Sequence, residues 1–495
     1  MNMRMFALII CSLLAVGLHA TDALGILTGA NSPLRFGDRI VFHGDSITAM
    51  SSAPEGFTSL LQRELALKRP ELRVRVMAAG ESGRKSSGLA PSLPYDVLDQ
   101  QPSVVFIFIG VNDVWHWEKR FGGKGSSPEE YAAALRAEIT AVEQAGAIAV
   151  LATPAVIGEK TDGSNDMRMA MTKTPPQEGD PAPADALLDK YADISRAVAR
   201  EKGVVLCDLR AAFMIYLREH NPAQQFQGIL TIDGVHLSAA GNRLVSEQAA
   251  QSIAAALRTY PWFLPLRDAV LTPVSSITLL GRNGSNAGLD IRFTLDGSMP
   301  TARSQSYTKA FNLTKTARLR ILVTDKAGHT FTSAATYTVQ ALVFPDFLHA
   351  DIPGLRYAIY DINSPDKLVP DLTHLTPVAT GVFANPFFSA PKGLTSYAAR
   401  LTGYLAIPAD GVYTFTARSA FGSKLWIGKQ LVVTHEYVGR KVSRAGEIAL
   451  KAGQHSVIID FYRQPSGDAS QWFFIEGPKM PYQMIPDDMW RQGHD

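Results

Sequence analysis

The chain has 495 residues, too many for one ordinary domain, and a length prior points to about three. Hydrophobic residues make up 46%, enough for several packed cores and outside the range of disordered chains. The formal net charge is +2, from 48 Lys+Arg and 46 Asp+Glu. The two signs are interspersed, so no basic stripe argues for nucleic acid and no polyanionic partner is expected.

The first residues have the pattern of an export signal. Arg4 supplies a short basic region, Phe6 to Leu18 form an apolar run broken only by Ser12 and Gly17, and the small residues Ala20 and Ala23 suit cleavage. That run is shorter than the roughly 20 residues a membrane span needs. Residues 1–23 are therefore expected to be a signal peptide, leaving no membrane span and a periplasmic or secreted bacterial protein. Cys11 would be lost with the signal, and Leu8-Ile9-Ile10-Cys11 lacks the small residues expected before a lipidated cysteine. Cys207 then remains alone in the apolar run Gly203-Val204-Val205-Leu206-Cys207. It is expected to be a buried strand residue with no redox or metal role, and no disulfide framework or zinc cluster is available.

From Leu34 to about Tyr260, short apolar runs alternate with longer amphipathic stretches. Strands are expected at Arg39–His43, Val74–Met77, Val104–Ile109, Ala147–Ala152 and Val204–Cys207. Helices are expected at Gly56–Lys68, Pro128–Ala145, Ala184–Glu201 and Ala239–Arg258. Strands rich in Val, Ile and Phe on both faces, separated by helices, indicate an α/β fold with a doubly wound parallel sheet. One insertion, Gly158 to Pro183, is polar, non-periodic and rich in Pro, Gly, Met and Lys. A loop of that length is usually functional or mobile.

Four blocks in this region carry chemistry, each after an expected strand. Phe42-His43-Gly44-Asp45-Ser46-Ile47-Thr48 exposes a serine on a turn at the carboxyl edge of the sheet, where open α/β folds place their sites. Ala79-Gly80-Glu81-Ser82-Gly83 and Gly110-Val111-Asn112-Asp113 follow the second and third strands. Asp233-Gly234-Val235-His236 precedes the last helix and supplies an imidazole with an aspartate three residues before it. A hydroxyl, an imidazole base and a carboxylate that fixes the ring tautomer are the parts of a serine hydrolase. The carboxylates do not cluster as metal ligands and no Gly-rich phosphate loop is present, so no metal and no cofactor are expected.

This ordered set resembles the SGNH (GDSL-type) esterase and lipase superfamily, which implies a flavodoxin-like sheet. The resemblance implies that Ser46 is the nucleophile, His236 the base and Asp233 its orienting partner. It further implies an oxyanion hole from the Ser46 and Gly80 N–H groups and the Asn112 side-chain amide. Gly80 would let the backbone approach the substrate carbonyl closely. The family's second block usually opens with Asn two residues before this glycine; here that position is Ala78. Asp45 can brace the loop and counts, with Trp115, His116 and Trp117, among the candidate substrate-side residues. His43 and His116 lie near the same edge and are rivals for the base.

After Pro261-Trp262-Phe263-Leu264-Pro265 the long helical patterns stop and strand alternation takes over. Ile291-Arg292-Phe293-Thr294-Leu295-Asp296-Gly297-Ser298-Met299-Pro300-Thr301 runs from a strand into a glycine turn. Leu319–Thr324 and Thr330–Val339 form a hairpin. This β-sandwich resembles the one appended to chitobiase and hexosaminidase enzymes. Farther on stand Gly354-Leu355-Arg356-Tyr357-Ala358-Ile359-Tyr360, Leu405–Phe415, Lys424-Leu425-Trp426-Ile427-Gly428 and Gly453-Gln454-His455-Ser456-Val457. They resemble a PA14 module, a second β-sandwich. PA14 lectins carry an Asp-Asp calcium pair where Ala420-Phe421 stand here, and neither side chain can ligate a hard cation.

The expected organisation is a signal peptide (1–23), a catalytic domain (24–262), the chitobiase-type sandwich (266–342) and the PA14-like sandwich (347–490). Hydrolase domains of this type in such company resemble carbohydrate esterases that remove acetyl groups from acetylated polysaccharides or oligosaccharides. The alternatives are a lipase or arylesterase, and a glycan-binding protein with an inactive hydrolase domain. The PA14-like module is expected to hold a polymer near the catalytic domain or simply to pack against it.

Overall fold

The computed structural model describes residues 24–493 except 36, 118–122, 166–183, 260–265, 267, 280, 282–284, 329, 347–350, 365–367, 387–393, 395, 420, 436–441, 464–470 and 479. The expected signal peptide, Ala420, the segment Glu118-Lys119-Arg120, the junction at 261–265 and the later part of the Gly158–Pro183 insertion lie outside the described residues.

In the first domain, β1 (Arg39–Gly44), β2 (Arg75–Gly80), β3 (Val104–Phe108), β4 (Ile148–Ala152) and β5 (Val205–Cys207) pair in parallel. The order is β2-β1-β3-β4-β5. Every residue of β3 and β4 is buried, as a parallel strand covered on both faces requires. Cys207 is buried and free, and burial pushes its thiol up to about 12. The helices in chain order are α1 (Gly25–Thr28), α2 (Ser46–Met50), α3 (Phe57–Lys68), α4 (Leu89–Asp96), α5 (Val111–Trp115), α6 (Pro128–Gln144), α7 (Ala184–Lys202), α8 (Leu209–His220) and α9 (Ala239–Thr259). Of the long ones, α3, α6, α7 and α9 coincide with the expected periodic stretches, whereas α8 was not expected. The capping box at Ser127 and Glu130 starts α6.

Helices α2, α4 and α5 were not expected from periodicity. The first and last are five residues long, and α4 carries Pro94 inside it. The chain order reverses between β1 and β3, so a crevice opens at their carboxyl ends. Ser46 leaves β1 there and Asn112 leaves β3 there.

Two modules of mainly antiparallel strands follow. The smaller closes around Ile291, Phe293, Leu319, Ile321 and Val323, with Leu289–Thr294, Ala317–Asp325 and Thr330–Val339 at the centre of its sheet. The larger packs two sheets over Tyr413, Phe415, Leu425, Ile459, Phe473 and Trp490. Phe421 is buried there edge-on to Tyr462, so that position offers a ring and no oxygen ligand.

The larger module docks on the first domain through the sheet formed by Gly411–Ser419, Val442–Leu450, Trp472–Gly477 and Met480–Met484. It meets Arg75, the first residue of β2, which is an edge strand of the parallel sheet. The buried Arg75 guanidinium donates to Glu476 and, at 2.6 Å, to Thr414 Oγ1. Nearby, Gln100 Nε2 donates to the Ser443 carbonyl at 2.8 Å and Arg444 pairs with Asp99 at 2.9 Å. The Glu447 carboxylate also accepts from Val270 N–H of the small module at 2.7 Å. Removing one partner of a buried ion pair costs about 3–5 kcal/mol, so the Arg75–Glu476 contact helps hold the last module to the first domain.

Candidate active site

β1 ends at Gly44 and α2 begins at once with Ser46. Asp45 between them caps the helix: its Oδ1 accepts from the Ile47 N–H at 2.9 Å. Its side chain is buried, and burial, reinforced by nearby Asp113, pushes the carboxyl up to about 7 despite that hydrogen bond. Asp45 thus braces the turn that carries Ser46 and, being 2% exposed, presents almost no surface to a substrate, which corrects the expectation that it is a substrate contact.

Gly80 ends β2 directly beside this turn. A Cβ added there would lie 2.2 Å from Ala49 N and 2.4 Å from the Asp45 carbonyl oxygen. The glycine is required because α2 crosses the strand end at backbone contact, and not only for the approach of a substrate. Below it, Arg84 is buried and holds the loop after β2: Nη1 donates to the Ala79 carbonyl at 3.1 Å and Nη2 to Asp96 and Glu81 at 2.7 Å.

Asn112 sits in the first turn of α5, buried, with Nδ2 donating to the Arg84 carbonyl at 3.1 Å. An amide nitrogen has two hydrogens, so one N–H remains for another acceptor. Asp113 is turned the other way. It accepts from the Ser86 N–H and, at 2.6 Å, from its hydroxyl, and burial raises its carboxyl even against those donors.

His236 arrives from the far side of the crevice. Its Nε2 lies 2.9 Å from Ser46 Oγ. Its Nδ1 donates to Asp233 Oδ2 at 2.6 Å, while Asp233 Oδ1 accepts from the Val235 and His236 N–H groups at 2.9 and 2.7 Å. With Nδ1 protonated against the carboxylate, Nε2 is left to accept from the serine. The Asp233 hydrogen bond raises the imidazole pKa against the opposing effect of burial. For Asp233, burial pulls upward, but the hydrogen bonds from His236 and Val235 outweigh it and hold the carboxylate low.

The loop that carries this pair has no regular structure, and Glu159 organises it. That carboxylate is fully buried and accepts from the N–H groups of Ile229 (2.9 Å), Leu230 (2.7 Å) and Thr231, and from the Thr231 hydroxyl (2.7 Å). Thr231 Oγ1 in turn accepts from the Gly234 N–H at 3.1 Å. Gly234 has φ +89°, and a Cβ there would meet the Phe226 ring at 2.3 Å. Glu159 and Arg84 were both missed in the sequence. The only signal for Glu159 is an acidic residue at the head of the non-periodic insertion.

The other expected residues separate cleanly. His43 is fully buried, with Nδ1 2.7 Å from Glu138 and Nε2 2.8 Å from Ser92, so both ring nitrogens are occupied away from Ser46 and it is no rival base. Trp115 is partly buried and packs on the core of the domain. His116 is partly buried, and burial followed by the charge of Lys85 lowers its pKa. Trp117 is 39% exposed and remains available at the surface. A cleft of about 330 Å³ between α3 and the last module, lined by Leu65, Arg69, Arg73, Glu476 and Tyr482 among others, lies toward the amino end of β2 and holds none of these residues.

Residues 42–244 match the GDSL-like lipase/acylhydrolase family. The chain belongs to that family through its N-terminal domain. It is an SGNH-type carboxylic ester hydrolase. Residues 274–338 match the chitobiase/beta-hexosaminidase C-terminal domain and residues 351–471 the PA14 domain. Among curated proteins, an acetylxylan esterase of Geobacillus stearothermophilus is 29% identical over 223 residues, covering 42% of this chain and 91% of the relative. Among solved structures, an acetyl xylan esterase is 32% identical, covering 43% of this chain and 99% of its own, at a TM-score of 0.39. An acetylxylan esterase structure from Geobacillus stearothermophilus is 27% identical over 45% of this chain and 96% of its own, at a TM-score of 0.36.

Proposed function

We propose that this chain is an exported bacterial carbohydrate O-acetylesterase that works through an acetyl-enzyme on Ser46. Ser46 Oγ attacks the acetyl carbonyl while His236 Nε2 takes its proton. The tetrahedral intermediate collapses with loss of the sugar oxygen, which receives that proton from His236. Water then attacks the acetyl-serine, His236 again serving as base, and acetate leaves. The Ser46 and Gly80 N–H groups and the second N–H of Asn112 receive the developing oxyanion, each such donor being worth about 2.7–4 kcal/mol in comparable hydrolases. Asp233 holds the imidazole and stabilises its charged form.

The observation that carries this reading is the continuous chain Ser46 Oγ, His236 Nε2, His236 Nδ1, Asp233, with hydrogen bonds of 2.9 and 2.6 Å. The acetyl and carbohydrate parts draw on the acetylxylan esterases that the N-terminal domain is similar to and on the glycosidase-type modules that accompany it. Export rests on the Arg4 to Ala23 pattern. Acetate release from acetylated xylan by the full chain, set beside hydrolysis of p-nitrophenyl acetate and p-nitrophenyl decanoate, tests it. Acetate release with preference for the short acyl group is expected. Cleavage of the decanoate with no acetate released from glycans would point to the lipase or arylesterase alternative.

A further inference from the structure

The docking face of the last module continues past the Arg75 contact to the edge of the sheet where Ser46 stands. Along Gly411–Ser419, residues Thr414, Thr416 and Arg418 share one face by the period of two. Their cross-strand partners Glu476, Phe474 and Trp472 share it with them. Thr414 and Glu476 grip Arg75, the first residue of β2. Four residues farther, about 13 Å along the strand, Arg418 Nη1 reaches Ser52 Oγ at 3.5 Å. Its guanidinium carbon stands 5.8 Å from the centre of the Trp472 ring, within the range of a cation–π contact.

Ser52 is an exposed loop residue on the carboxyl side of the sheet. It follows α2, the helix that Ser46 opens. Its neighbour Ser51 is tied to Thr58 at 2.9 Å, and Phe57 N–H donates to Asn242 Oδ1 at 3.0 Å. Asn242 lies in the first turn of α9, just after His236. The loop from 51 to 57 therefore bridges the serine side and the histidine side at the carboxyl edge. Met50 beside it is 48% exposed, so this part of the edge is open to solvent. The PA14-like module thus brings a guanidinium, with an indole beside it, to the loop that follows the Ser46 helix.

We propose that Arg418 and Trp472 form a glycan subsite that holds the polysaccharide chain beyond the acetylated sugar. An indole face packs on the C–H face of a pyranose ring, and a planar guanidinium offers a fork of donors to its hydroxyls. The subsite sets preference for chain length and leaves the chemistry at Ser46 untouched. It rests on the carbohydrate reading given above, with xylan as the polymer.

Two measurements on the full chain test it, one of them independent of turnover. In a Ser46→Ala background, calorimetric titration with unacetylated xylohexaose should give saturable binding, weakened roughly tenfold by Trp472→Ala, a loss of about 1.4 kcal/mol. Arg418→Gln should weaken it by a smaller factor, and Trp472→Tyr should keep most of it. In the active chain, Trp472→Ala should raise KM for acetylated xylohexaose and leave kcat and p-nitrophenyl acetate hydrolysis unchanged. Should Trp472→Ala fail to fold, Arg418→Gln carries the test. Equal xylohexaose affinity in these variants, or no binding by the parent, would overturn the subsite. Binding that behaves as expected with no acetate released from any glycan would leave the subsite standing and remove the esterase reading instead.

Discussion

Ser46 stands at the end of a buried parallel strand, whereas His236 stands on an irregular loop whose backbone donors converge on one carboxylate. On the serine side the support is backbone packing: α2 lies on Gly80, and the Asp45 cap fixes the turn. On the histidine side the support is polar, with Glu159 accepting from Ile229, Leu230 and Thr231. The two halves of one hydrogen bond thus depend on different physics. Packing localises Ser46 through many small contacts, while a single buried carboxylate localises the loop that carries His236.

The largest expected effect is on the histidine side. Asp233→Asn should lower kcat by roughly 10⁴-fold, by analogy with triads in which the amide stabilises the wrong tautomer. It should also move the pH profile. Asp233 raises the His236 pKa, so the acid limb of kcat/KM in the parent lies above the ordinary histidine value of about 6.5. Activity rises as pH climbs through that limb and His236 loses its proton. The variant's residual activity should show the limb displaced to lower pH; an unmoved limb would assign it to another group.

Asn112→Ala should reduce kcat by roughly 10²–10³-fold with KM little changed, because the donor serves charge that develops only in the transition state. A pure KM effect would make Asn112 a ground-state contact. Glu159→Ala sharpens the contrast between the two supports. It leaves several buried N–H groups without their acceptor, at about 1–3 kcal/mol each. Urea unfolding should show lowered stability, and kcat should fall with it although Glu159 touches no substrate. Full activity in that variant would mean that the loop holds its shape without the carboxylate.

Asp45→Asn should give the smallest effect, seen in stability against pH. The folded-state pKa of Asp45 is raised from 3.8 to about 7, so the folded protein binds the extra proton across that window. The associated stability is fully present below about pH 4 and is lost as pH rises through about 7. Asparagine can keep the cap without a buried charge, so the variant should lose less stability than the parent between those limits. Parallel curves for the two proteins would show that Asp45 does not titrate in this way.

The sheet was legible because β1, β3 and β4 are apolar on both faces, a pattern that no amphipathic helix shares. Three of the four chemical blocks were legible for a related reason, since each sits where the apolar run of a strand stops; the Asp233–His236 block instead lies on an irregular loop after α8. Glu159, Arg84 and the His43–Glu138 pair were not legible. Their partners lie 95 residues away for His43 and up to 72 for Glu159, and periodicity reports burial without saying which buried polar groups meet. The docking of the last module was hidden likewise: Arg75 and Glu476 are 401 residues apart. Ala420 and the export signal stay expectations, as both lie outside the described residues.

The covalent step offers the most direct test. The full chain is mixed rapidly with excess p-nitrophenyl acetate, quenched in acid, digested and examined by mass spectrometry. One added acetyl group on the peptide containing Ser46, absent when the parent is quenched without ester and absent in Ser46→Ala, is the expected result. Undiminished turnover in Ser46→Ala, or acetyl accumulating on a different residue with that peptide unmodified, would contradict the assignment of Ser46 as the nucleophile.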